Sequence, residues 1–124
     1  MTRVLAIAAG GALGSVLRYL MSAWVHSLAG RGFPYGTLAV NVLGCLLMGF
    51  LFALFVERLS WDGILRAGIL IGVLGGFTTF SSFSIETFNL LEEGLWLRAG
   101  INAGASLVLC LAATWIGVIT ARAL

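Results

Sequence analysis

Apolar residues occur along this chain in four long stretches separated by short polar connections. The predicted spans are residues 4–28, 36–56, 63–91 and 97–121, joined by connections at 29–35, 57–62 and 92–96. Each stretch is long enough to cross about 30 Å of hydrocarbon, which takes roughly 20 helical residues. The connections are too short to hold a soluble domain. We therefore predict an all-α integral membrane protein in which residues 1–124 form one four-helix transmembrane domain.

The third apolar stretch is interrupted near its middle by the sequence Gly-Gly-Phe-Thr-Thr-Phe-Ser-Ser-Phe-Ser at residues 75–84. Paired glycines weaken a helix, and hydroxyl side chains compete with it for backbone hydrogen bonds. In a bilayer, a broken helix persists only where it is buried in protein or lines a polar path. Broken spans are also where transporters place ion sites. The interruption therefore predicts a third helix broken near its middle, beside an ion pathway.

Composition excludes most other classes of protein. A hydrophobic content of 60% and a mean hydropathy of +1.08 are too high for a soluble domain of this size. The net charge is only +2 and no basic cluster occurs, so we expect no nucleic-acid partner. We also expect no enzymatic activity, since no Ser, Cys or acid pair is placed as a catalytic partner of the one histidine, His26. Cys45 and Cys110 fall mid-span and are interpreted as small core residues.

The arginines give little preference for one orientation in the membrane. Four spans place the N-terminus, the second connection and the C-terminus on one side, with the first and third connections on the other. The first side carries Arg3, Arg58, Arg66 and Arg122, and the second carries Arg31 and Arg98. Orientation follows this arginine bias, and four against two is a weak bias. Insertion in both orientations is therefore a hypothesis for this chain.

Glycine, with 17 copies, is the main clue to helix packing. Glycines spaced four residues apart allow two membrane helices to approach closely. Such sets are Gly10 with Gly14, Gly100 with Gly104, and Gly68 with Gly72 and Gly76. They either pack the helices of one subunit or also join subunits. We favour an oligomer, because four short spans enclose little interior and closed homo-oligomers are common.

Two polar residues inside the spans are candidates for function. Arg18 lies on the face of Gly10 and Gly14, and an ionisable residue inside a membrane is a functional hypothesis by default. The alternative is an arginine that snorkels or caps backbone carbonyls. Asn41 lies five residues into the second span. Its amide would either donate to an anion or bond two helices together, and the sequence leaves both interpretations open.

Beyond the break, Phe80 and Phe83 share a helix face, and Ser81 and Ser84 form the adjacent stripe. A phenyl ring has a positive edge. Ring edges beside hydroxyl donors would therefore solvate a small bare anion without any full positive charge. Aromatic residues at helical spacing are more often plain packing, but the hydroxyls and the helix break favour a functional interpretation here.

The fourth span carries a stripe of polar residues spaced four apart: Asn102, Ser106, Cys110 and Thr114. The stripe would face a hydrated path if the helix borders one. Alternatively, its hydroxyls bond the carbonyls of the preceding turn. The sequence does not separate these two interpretations.

Several of these motifs form a recognisable set. The set comprises residues 10–14, Arg18 with Tyr19, residues 36–38 with Asn41 and Gly44, and residues 75–84 with Glu86. It resembles the fluoride channels of the CrcB (Fluc) family over essentially the whole chain. Ser82 departs from the threonine more usual there but keeps a hydroxyl. The resemblance implies two subunits packed antiparallel as a dual-topology homodimer with two fluoride pores.

The resemblance also implies particular site residues. Asn41, Phe80 and Phe83 match residues that line the pore, with Ser81, Ser84 and Thr114 as weaker matches to its polar track. A structural sodium ion is implied at the dimer centre, held by the main-chain carbonyls of Gly75 and Thr78 in each subunit. Oxygen ligands suit such a hard cation.

The function implied by the resemblance is passive export of cytoplasmic fluoride through the inner membrane of a prokaryotic cell. A second possibility is a proton-coupled exporter of the small multidrug-resistance type, which also has four short spans. That mechanism needs a carboxylate in the first span, and this chain has none there. A third possibility is a membrane assembly subunit that transports nothing, against which the hydroxyl-rich break argues.

Overall fold

The computed structural model describes residues 1–124, and every regular element in it is a helix. Helix α1 spans Thr2–Ala29, and α2 spans Tyr35–Phe52 with a π-helical continuation at Ala53–Arg58. Helix α3 consists of Gly63–Arg66, π-helical Ala67–Leu74 and Gly75–Phe77. Helices α4, Phe80–Glu92, and α5, Trp96–Ala123, complete the chain. Four spans are long and apolar enough to cross a membrane, with α3 and α4 together forming the third. The four predicted spans are confirmed.

Glycines bring α1 and α3 into backbone contact. A Cβ atom added to Gly10 would meet the carbonyl oxygen of Gly68, and one added to Gly14 would meet that of Val73. From the other side, a Cβ on Gly72 would lie 2.8 Å from the carbonyl oxygen of Ile7. Only residues without a side chain permit this approach. The predicted packing role of these glycines is confirmed within one chain.

Helices α2 and α5 pack parallel to each other along their whole length. A Cβ on Gly49 would meet the carbonyl oxygen of Thr114. Two turns further along both helices, Glu57 accepts a hydrogen bond from Arg122 at 2.7 Å. The partners are 65 positions apart in sequence in both pairs, Gly49 with Thr114 and Glu57 with Arg122. The contact therefore keeps one register over at least two turns.

The third predicted glycine pair has no partner within the chain. Gly100 and Gly104 on α5 have no atom within 4 Å of an added Cβ. They lie on an outward face, among large apolar side chains such as Leu97, Ile101 and Leu107 that are at least half exposed. This face of α5 is available to lipid or to another subunit.

The arginines near the helix ends lie where the four-span topology predicts. Arg98 donates to the carbonyl of Gly32 at 3.0 Å, which joins the first and third connections. Arg58 donates to the carbonyl of Ala121 at 2.9 Å, which joins the second connection to the C-terminal end. The two groups of arginines used for the orientation count therefore lie at opposite ends of the bundle.

Candidate functional site

The break in the third span lies at two threonines rather than at the paired glycines. Gly75 keeps helical angles, φ −63° and ψ −38°. Thr78 and Thr79 are extended, with ψ values of 156° and 115°. β-Branched residues lose side-chain freedom in a helix and favour extended backbone. Gly76 has another use, since a Cβ there would lie 2.7 Å from the carbonyl oxygen of Gly11. The predicted break within residues 75–84 is confirmed, and it lies at the two threonines of that run.

The side chain of Asn41 holds the broken segment open. Its Oδ1 accepts from the N–H of Thr79 at 2.8 Å, and its Nδ2 donates to the carbonyl of Thr79 at 2.9 Å. In a continuous helix, the N–H of Thr79 would donate to the carbonyl of Gly75. That carbonyl is therefore released from its helical partner. Asn41 bonds two spans together, which was one of its two predicted roles, and one amide hydrogen remains for another acceptor.

Thr79 also starts the second half of the span. Its Oγ1 accepts from the N–H of Ser82 at 3.1 Å, which caps the N-terminus of α4. The same hydroxyl donates to Oγ of Ser82 at 3.1 Å and lies 3.3 Å from Oγ of Ser81. A threonine at this position satisfies an amide that the first helical turn leaves free. The hydroxyl-rich sequence therefore ends one helix and begins the next.

A cavity of about 480 Å³ lies beside the break. Phe80 and Phe83 form one wall, with ring centroids 5.2 Å apart and ring planes tilted by 46°. The cavity is lined by Asn41, Cys45, Thr78, Thr79, Phe80, Phe83, Ala103, Ser106, Leu107, Cys110 and Leu111. Phenyl rings, an amide, hydroxyls and thiols thus line one largely apolar space.

Four of the predicted site residues line this cavity: Asn41, Thr78, Phe80 and Phe83. The other four, Gly75, Ser81, Ser84 and Thr114, do not line it within the single chain. Ser84 donates its hydroxyl to the carbonyl of Phe80 at 2.9 Å, and Thr114 donates to that of Cys110 at 3.0 Å. For Thr114, the structure shows the alternative predicted for the polar stripe, a bond to the carbonyl of the preceding turn.

Four polar residues that line the cavity were left out of the predicted site: Cys45, Thr79, Ser106 and Cys110. Ser106 is buried, and Cys45 and Cys110 are half-buried free thiols that line the cavity instead of filling a closed core. The spacing of four along the fourth span contained the signal for Ser106 and Cys110. No comparable pattern marked Cys45, because its position depends on how α2 faces α5.

Arg18 reaches the break from α1. Its Nη1 lies 3.5 Å from the carbonyl oxygen of Thr78, a long hydrogen bond between residues 60 positions apart. This geometry matches the predicted carbonyl-capping role. The carbonyl belongs to the broken segment of the third span, whereas the expected position was near the end of the arginine's own helix.

Glu86 on α4 is hydrogen-bonded to a residue of α2. Thr37 donates its hydroxyl to Oε1 at 2.8 Å, while Oε2 is buried without a hydrogen-bond partner. The carboxylate borders a second cavity of about 500 Å³, which is also lined by His26, Arg31 and Arg98. Acidic and basic groups therefore face each other at this end of the bundle.

Comparison with known proteins agrees with the sequence resemblance. The sequence model of the family described as CrcB-like protein, Camphor Resistance (CrcB), matches residues 5–118. This chain belongs to the CrcB family. The fluoride-specific ion channel FluC of Geobacter sulfurreducens is 52% identical over 100% of both chains. The protein of the same name from Geobacter metallireducens is 51% identical over 98% of both chains. The one from Pelobacter propionicus is 50% identical over 100% of this chain and 96% of its own. The chain is a prokaryotic multi-pass membrane protein of the CrcB family.

The geometry of Asn41 makes a specific prediction for this CrcB protein. Asn41→Ala leaves the N–H and the carbonyl of Thr79 buried without their partners, at a cost of about 1–3 kcal/mol for each group. We expect a clearly lower midpoint of heat unfolding in detergent and faster hydrogen exchange at the amide of Thr79. Asn89→Ala is the matched control, since Asn89 is exposed. Equal midpoints for the two variants would show that Asn41 does not hold the break.

Proposed function

We propose that this protein is a passive, fluoride-selective ion channel. The observation that carries the proposal is the cavity beside the broken third span, where the Phe80 and Phe83 rings meet the Asn41 amide. The relatives named fluoride-specific ion channels, about 50% identical over nearly their whole length, support the same assignment. The break supplies polar groups at a depth where continuous helices would offer none.

The cavity lining suits a small anion better than a cation. No full charge is found among the residues that line it. Phenyl edges carry partial positive charge, and the second amide hydrogen of Asn41 is a neutral donor. A weakly positive lining replaces part of the water around an anion without trapping it, since conduction needs binding weak enough for the ion to leave. Fluoride is small enough to contact several such donors at once.

The driving force requires no coupled ion or nucleotide. Fluoride enters a cell as its neutral acid, dissociates in the less acidic cytoplasm and is trapped there as the anion. A negative-inside membrane potential expels an anion with about 2.3 kcal/mol per charge per 100 mV. A passive pore is therefore sufficient for export and for lowering fluoride toxicity.

Efflux from liposomes tests this function. Purified protein in potassium-fluoride-loaded liposomes should release fluoride rapidly when valinomycin allows potassium to follow, as measured with a fluoride electrode. Chloride-loaded liposomes are the control and should release little. Equal chloride release would contradict fluoride selectivity. Release only under a proton gradient would favour the proton-coupled exporter, although α1 has no acidic residue for that mechanism.

We also propose that the carbonyls of Gly75 and Thr78 hold a structural sodium ion. The Gly75 carbonyl lacks its helical donor because the N–H of Thr79 bonds to Asn41. The Thr78 carbonyl has only the long contact to Arg18. Carbonyl oxygens released by a broken helix are the ligands such a cation prefers. Bound there, the ion would stabilise the extended segment electrostatically.

A second copy of the chain, packed antiparallel, is the partner we propose. Gly75 and Phe80 lie exposed on the single chain, with Phe80 78% exposed. Gly100 and Gly104 on α5 also present an open small-residue face. The weak arginine bias is consistent with insertion in both orientations. An antiparallel pair would cover the broken segments and bring the carbonyls of two chains together.

Forcing one orientation tests this dimer. Thr2→Arg with Arg31→Gln strengthens the existing bias to five against one, and Arg3→Gln, Arg66→Gln, Arg122→Gln, Leu28→Lys and Ala29→Lys together reverse it to one against four. Each form alone should lose nearly all fluoride efflux, and co-expression of the two should restore it. A cysteine placed in residues 57–62, in a background without Cys45 and Cys110, reports orientation through labelling from each side of intact cells. Full efflux by one locked form would contradict the antiparallel dimer.

A further inference from the structure

Cys45 and Cys110 face each other across the contact between α2 and α5. The register of that contact pairs Gly49 with Thr114, which are the residues four positions further along each helix. A step of four residues returns to the same helix face. The register therefore places Cys45 opposite Cys110, and both residues line the same cavity.

The two thiols border the cavity beside the break. One turn earlier, the same register pairs Asn41 with Ser106, and both of these residues line the cavity together with the two cysteines. Cys45 and Cys110 are free and half-buried. They are also the only two cysteines of the chain. Two thiols from different helices therefore open into one space, a turn away from the amide that holds the break.

From this arrangement we propose that Cys45 and Cys110 form a two-coordinate binding site for a soft divalent metal ion, with Hg²⁺ as its simplest occupant. Thiolates are the protein ligands that soft metals select. Two sulfurs that face each other from neighbouring helices suit the linear geometry of a mercury dithiolate. The structure contains no cluster of three or more His, Cys, Asp or Glu residues, so this site would have no further ligand from those types.

The charge balance favours this site in a membrane. Each thiol loses its proton to water as its sulfur bonds to Hg²⁺, so the reaction consumes one metal ion and releases two protons. The resulting S–Hg–S unit carries no net charge. Isolated charges are costly inside a bilayer, and a neutral product avoids that cost. A monovalent soft metal held by the same two thiolates would leave one negative charge behind.

Metal bound at this site should affect fluoride efflux, a consequence that rests on the proposed function. A metal atom between the two sulfurs would lie in the wall of the cavity that Phe83 also lines, one turn from Asn41. It would narrow the cavity and fix α2 against α5 at that level. Fluoride efflux should then fall as the metal binds.

The binding test uses the purified full-length protein and mercuric chloride. Wild-type protein should take up one mercury per chain, measured by intact mass. Both of its thiols should then no longer react with maleimide. Glutathione should then remove the metal on the order of a hundredfold more slowly from wild type than from Cys45→Ala or Cys110→Ala, because two linked ligands rebind locally. Equal removal rates from wild type and the single variants would overturn the site.

Flux measurements separate the site from the proposed function. Mercury should abolish fluoride efflux from liposomes containing wild-type protein. In the variant with both cysteines replaced by alanine, the efflux rate should be the same before and after mercury is added. If efflux persists in wild type while both thiols hold mercury, the inference that the bound metal blocks the cavity is wrong. If untreated wild type released no fluoride, the proposed function would fail, while the glutathione comparison would still decide the metal site.

Discussion

Gly14→Ala should destabilise the protein by at least about 3 kcal/mol, the upper part of the range for overpacked contacts. The added methyl group would meet the carbonyl oxygen of Val73 and lie 2.9 Å from the amide nitrogen of Phe77. Both are backbone atoms, so no side chain can move aside. Helix α1 would have to separate from α3 just ahead of the broken segment. The expected results are a large fall in the unfolding midpoint and loss of fluoride efflux.

Gly11→Ala is the matched control on the same helix. A Cβ there would have its nearest neighbour, the carbonyl oxygen of Gly72, at an ordinary 3.9 Å. Alanine is the better helix former by about 1 kcal/mol, so this variant should be as stable as wild type or slightly more so. Heat unfolding in detergent, followed by size-exclusion chromatography, compares the two variants. Wild-type stability of Gly14→Ala would show that α1 and α3 do not pack as closely as described.

Phe83→Ile should reduce fluoride efflux on the order of ten- to a hundredfold while leaving the protein folded. Isoleucine fills much of the apolar volume, so the cost in stability should stay below about 1.5 kcal/mol. It lacks the positive ring edge that we propose contacts the anion. Losing an interaction with a charged group costs about 1.5–3 kcal/mol, and each 1.36 kcal/mol on the barrier corresponds to about a factor of ten in rate. Phe80→Ile should act in the same direction.

Phe88→Ile provides the comparison for the ring substitutions. Phe88 lies on the same helix α4, is 53% exposed and does not line the cavity. Its replacement should leave efflux in the fluoride-electrode assay near the wild-type rate. Unchanged efflux in both Phe80→Ile and Phe83→Ile would reduce these rings to packing. An equal loss in Phe88→Ile would point to a general effect on α4 instead.

Local features of the sequence were sufficient to predict the four spans, the all-helical class and the existence of the break. Hydropathy is a local property, and the length of an apolar run decides whether a helix can cross the bilayer. The glycine spacing on α1 and α3 also predicted a close contact correctly, since residues four apart share a helix face whatever the helix packs against. The motif set identified the family for a similar reason, because each of its motifs is a short run of neighbouring residues.

The roles of the polar residues, by contrast, depend on how the helices pack. Asn41 and Thr79 are 38 positions apart, and no local pattern shows that one side chain bonds both backbone groups of the other residue. That pair of bonds holds the extended Thr79 in place, and it joins two helices rather than residues of one. The pairing of Cys45 with Cys110 likewise depends on the register and rotation of α2 against α5. These relations are set by how whole helices pack, and helix packing depends on surfaces assembled from distant parts of the chain.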